Sequence, residues 1–84
     1  MPLKFLEIGG LYRMKAEIRF FNNTTTYKST IMPKNAVVLC IGKSLNPMTK
    51  HHIYEFFAND MKFAREIGSY AVGKWFEEVT ENGA

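Results

Sequence analysis

HHIYEFFANDMKFAREIGSYAVGKWFEEV, residues 51–79, decides the fold, because two periodicities compete in it. Read as helix, Ile53, Phe57, Met61, Ala64, Ile67, Ala71, Trp75 and Val79 recur at steps of three and four, an amphipathic stripe. Gly68 and Gly73 count against that stripe, since each costs about 1 kcal/mol inside a helix, and so does the aromatic and β-branched content. Read as strands, IYEFFA pairs with MKFARE across Asn59-Asp60, two residues that tolerate the positive φ of a tight hairpin. GSYAVG then becomes a short turn or 3₁₀ segment and KWFEEV a closing strand. The strand reading is preferred, with one C-terminal helix over residues 53–79, in an α+β fold, as its alternative.

The rest of the chain reads more simply. LYRMKAEIRFF, residues 11–21, alternates strictly: Tyr12, Met14, Ala16, Ile18 and Phe20 share one parity, and Arg13, Lys15, Glu17 and Arg19 the other. Period two marks a half-buried strand. NNTTT (22–26) is a polar connection, after which YKSTI (27–31) is expected to return antiparallel. Pro33 interrupts the pairing because it has no N–H to donate. AVVLCIG (36–42) is a continuous apolar run of strand length, expected to form a central strand buried on both faces. A loop around Asn46-Pro47 follows. Five or six short strands in 84 residues point to an all-β, compact antiparallel barrel forming a single domain, 1–84.

The order GGLYRMKAEI, AVVLCIGKS, IYEFFANDMKF and KWFEEV resembles that of small SH3-like barrels, found as short bacteriophage proteins and as modules of larger bacterial proteins. The resemblance covers nearly the whole chain and lies in pattern. It implies binding to peptides, nucleic acid or other subunits rather than catalysis. The acidic loop of eukaryotic signalling SH3 domains is missing, so proline-rich peptides are not expected as ligands.

Composition narrows the function. The net charge of +3 conceals an asymmetry: residues 1–50 carry eight Lys/Arg against two acids, residues 51–84 three against six. A basic face or a head-to-tail pairing of copies would follow from such polarity. MPLKFLEIGG does not read as a secretory signal, because Lys4 and Glu7 interrupt its apolar stretch, and one cysteine permits no intrachain disulfide. A cytoplasmic setting is therefore expected, with no membrane span and no cofactor. His51 and His52 are adjacent and point to opposite faces of a strand, a poor start for a metal site. Cys40, inside an apolar strand, lacks the base and cleft that a nucleophile needs. No enzymatic activity is expected.

Two sets of binding residues remain. Arg13, Lys15, Arg19 and Lys28 are expected on the outer face of adjacent strands, where they could meet single-stranded nucleic acid beside exposed aromatics. Parity also sends one member of each pair Phe20/Phe21, Phe56/Phe57 and Trp75/Phe76 outward. Phe21, Phe57 and Trp75 are the expected anchors of a protein interface, a homodimer among the options.

Overall fold

The computed structural model describes residues 3–21 and 29–79. Seven strands make one antiparallel sheet: β1 (Leu11–Met14), β2 (Ile18–Phe21), β3 (Ser29–Met32), β4 (Val37–Leu45), β5 (His52–Ala58), β6 (Met61–Ile67) and β7 (Phe76–Glu78). One short helix, α1 (Ser69–Trp75), precedes the last strand. The order across the sheet is β3-β2-β6-β5-β4-β1-β7. The sheet curls into a half-barrel, so the chain is mostly β with a small barrel-like architecture.

Connectivity requires that curl. β2 and β1 stand four positions apart in the strand order. In a flat sheet four steps span about 19 Å. Yet Met14 and Ile18 are joined by only three residues, which reach about 14 Å when fully extended. The two flanks of the sheet must therefore bend toward each other. This also corrects the sequence reading: residues 11–21 are two strands, not one. Lys15–Glu17 turn the chain from one flank to the other, and the parity survives the turn, with Tyr12, Met14, Ile18 and Phe20 all buried. Splitting that run gives seven strands where five or six were expected.

The hairpin at Asn59-Asp60 forms as expected, both residues having positive φ (53° and 61°) and joining β5 to β6 in unbroken register. There is no rod over residues 53–79. GSYAVG, expected as a turn or 3₁₀ segment, instead contributes to an α-helix of seven residues. Burial overrides glycine propensity there: Ala71 and Val72 pack into the core, and the Phe76 N–H closes the helix on the Val72 carbonyl. KWFEEV does supply a closing strand, and β7 pairs with β1 through Tyr12↔Glu78 and Met14↔Phe76.

β4 lies within the sheet between β1 and β5. Its expected burial on both faces is not found: Val38 and Cys40 are buried, but Val37 is 43% exposed. Among the described residues the outer face of this strand stays partly open at Val37 and Leu39, as is usual for antiparallel sheets with one wet side. The register shifts between Cys40 and Gly42, and the resulting bulge adds to the bend of β4.

The core is aromatic. Phe56 lies at its centre, stacked on Phe76 (5.5 Å between centroids) and on Phe63 (6.1 Å), with Phe20 edge-on at 5.3 Å. Tyr12 and Tyr54 complete it and hold the N-terminal segment by their hydroxyls. The Glu7 N–H donates to the Tyr12 oxygen at 2.7 Å and the Leu6 N–H to the Tyr54 oxygen at 3.4 Å.

Candidate functional site

The basic strand face expected from residues 11–21 is divided by the fold. Arg13 lies on β1 and Arg19 on β2, four positions apart rather than on one strand. Arg13 is paired with Glu77 of β7 at 3.4 Å. Lys15 sits in the turn between the strands and donates its Nζ to the Gly73 carbonyl at 2.9 Å. Lys28 lies outside the described residues. The correction has a physical cause: alternation assigns a side chain to a face but says nothing about which strand carries it.

The outward aromatics are sorted as parity requires, but they do not form one patch. Phe20 and Phe56 are buried, and Phe21 and Phe57 are 43% and 39% exposed. Phe21 is opposite Ala64 of β6, and Phe57 is opposite Lys62 two residues away on that strand. β6 thus stands between them. Of the third pair, Phe76 enters the core and Trp75 is half-buried, with the Arg65 guanidinium 5.0 Å above its ring.

The sheet register brings together a group that the sequence did not reveal. Leu11 of β1, Leu39 of β4 and Phe57 of β5 stand directly opposite one another, making a row across three strands on the outer face. Val37, two residues before Leu39, extends it, and it faces Arg13 across β1. Leu11, Val37 and Phe57 each expose about two fifths of their surface, so the row is an apolar patch with the Arg13–Glu77 pair at its rim. Only pairing partners could have disclosed it, because Leu11, Leu39 and Phe57 are far apart in sequence.

The groups considered for chemistry have structural surroundings. Cys40 is fully buried, and desolvation pushes its thiol above the ordinary 9.0, away from the thiolate that attacks carbon or binds metal. His52 packs against Phe5 and Tyr54, and His51 meets Tyr70 edge-on. Among the described residues no three His, Cys, Asp or Glu side chains are grouped to hold a metal ion, and no helix is long and apolar enough to cross a membrane.

These buried acids predict an alkaline limit to stability. Burial raises Cys40 from 9.0 and Tyr12 and Tyr54 from 10.0. Above pH 9 the unfolded chain releases protons that the folded chain retains, so stability falls as pH rises. Urea titrations at pH 7, 9 and 10.5 are expected to show full stability at pH 7 and a progressive loss beyond pH 9. Cys40→Ala is expected to remove the earliest part of that loss.

No protein-family model, curated protein or solved structure matches the chain.

Proposed function

We propose that the domain is a non-catalytic interaction module that binds a protein partner, a second copy of itself in the version tested first, through the outer face of β1, β4 and β5. The observation that carries this reading is the registered row Leu11–Leu39–Phe57 with Val37 beside it. Contiguous exposed apolar surface on a small protein marks a contact site, and an apolar centre with a charged rim is the usual anatomy of an interface. Phe57 keeps the anchoring role expected of it. Phe21, with Ile31 diagonal to it on β3, belongs to a second and smaller outward patch. The small barrel-like fold, and the resemblance in pattern to SH3-like barrels, support such a role. The divided basic face supports no second reading through Arg13 and Arg19.

Sedimentation velocity from micromolar to millimolar protein tests the proposal. Concentration-dependent dimerisation is expected. Leu11→Thr with Phe57→Thr keeps good strand formers at both positions while removing the apolar area. The double variant is expected to weaken association at least about tenfold, a loss of ~1.4 kcal/mol. A wild-type protein that stays monomeric at millimolar concentration, or a double variant that associates equally well, overturns the proposal.

A further inference from the structure

A cavity of about 340 Å³ lies between the N-terminal segment and α1, away from the apolar row, lined by Leu3, Lys4, Ser69, Tyr70, Gly73 and Lys74. It is within the size range of small-ligand sites. Among the described residues its lining includes two lysines and no acid. Tyr70 and Lys74 are one helical turn apart, so they share a face of α1.

Two glycines shape this cavity. A Cβ at Gly73 would come within 2.8 Å of the Leu3 carbonyl oxygen, so only glycine lets the N-terminal segment approach α1 this closely. That contact sets Leu3 and Lys4 beside the helix. A Cβ at Gly68 would come within 2.8 Å of Tyr70 Cδ1 and closer still to Cε1, so the bare backbone leaves room for that side of the ring. His51 meets the same ring in an edge-on contact at 6.2 Å. Tyr70 is nevertheless 74% exposed. An aromatic ring is thus presented to solvent beside two lysines of the same cavity lining.

We propose that this cavity binds one nucleotide unit of a single-stranded nucleic acid, its base on the open face of Tyr70 and its phosphate between Lys4 and Lys74. An aromatic platform beside lysines is how proteins hold single strands without reading their sequence. Lysine presents a compact point charge suited to phosphate, and the cavity lining lacks the planar arginine fork that favours carboxylates. The site is distinct from the apolar row, so the two proposals stand or fall separately.

Fluorescence anisotropy with labelled oligothymidylate at 50 and 200 mM NaCl tests it. Binding is expected at the lower salt, weakening with a slope set by one neutralised phosphate, about −0.7 in log K against log salt. Tyr70→Ala is expected to weaken binding at least about fivefold, the lower bound for loss of a stacked base, whereas Tyr70→Phe retains it. Lys4→Glu with Lys74→Glu is expected to abolish it. Lys34→Glu, on the β3–β4 turn outside the cavity, is expected to change affinity less than twofold. The varied side chains, Lys4, Lys34, Tyr70 and Lys74, are all exposed and replaceable, and thermal melts verify that each variant folds. Amide shifts of wild-type residues 69–74 on adding oligothymidylate give an independent reading of the site. Failure to bind at 50 mM NaCl overturns the proposal. So does a Tyr70→Ala variant that binds as well as wild type, an acidic peptide that binds as tightly as the oligonucleotide, or shifts that miss residues 69–74.

Discussion

Phe56→Ala is expected to remove about 3–5 kcal/mol of stability, the range for truncating a fully buried aromatic. Phe56 has no exposed surface and contacts rings from three other strands, Phe20, Phe63 and Phe76. A chain of this length has about 4–13 kcal/mol in all, so the variant stands near the threshold of folding. Its Tm is expected to fall by more than about 12 °C. Phe57→Ala, the same change one residue along, removes a side chain that faces outward and is expected to cost about 1 kcal/mol or less. Chemical denaturation of the two variants side by side checks the inward–outward assignment of β5 directly. Equal losses would show that β5 is not half-buried as described.

Arg65→Ala is expected to be the next most damaging change, at about 2 kcal/mol, although a charged residue on a strand would ordinarily be dispensable. Arg65 shares parity with the buried Phe63 and Ile67. Its guanidinium donates to the Arg19 carbonyl on β2 at 2.7 Å and covers the Trp75 ring. β2 and β6 are otherwise registered at one pair, Phe21↔Ala64, so Arg65 clasps the seam where the sheet is most weakly joined. A hydrogen bond from a charged donor contributes about 1.5–3 kcal/mol and a cation over an aromatic face about 0.5–2. The buried Nε, which has no partner, offsets part of that sum. Arg65→Met keeps an apolar stem over Trp75 and is expected to recover about half the loss. Trp75 is the chain's one tryptophan, so its fluorescence follows the clasp in both variants. An Arg65→Ala protein with unchanged emission and stability would remove the clasp from the account.

The local rules of strand formation were legible in the chain. Asn59-Asp60 marked its hairpin because turn chemistry is carried by the turn residues themselves, and YKSTI announced a return strand whose described part, Ser29–Met32, pairs with β2. The inward members of Phe20/Phe21 and Phe56/Phe57 followed from hydrophobic parity. What escaped was every relation set by distant pairing. The turn at Lys15–Glu17 leaves parity intact, so a strand bent across a barrel and a straight one look alike in sequence. The helix over Ser69–Trp75 was hidden because Gly73 opposes it locally while burial of Ala71 and Val72 supports it globally. The row Leu11–Leu39–Phe57 and the grouping of Lys4 with Lys74 exist only once register and docking are known.

The placement of β1 between β4 and β7 also governs the order in which the molecule can assemble. β4, β5 and β6 follow one another as a meander with short connections, so their contacts close small loops and can form early. β1 must wait. Its contact with β7 joins Arg13 to Glu77 across a sequence separation of 64, a large loop whose closure entropy is offset only when most of the core is in place. During synthesis β1 therefore acquires its second neighbour only after residues 76–78 have left the ribosome. Until then the outer edge of β1 and the place of Phe76 in the aromatic core stand open, and such unpaired edges and uncovered rings are what make an incomplete chain prone to aggregate.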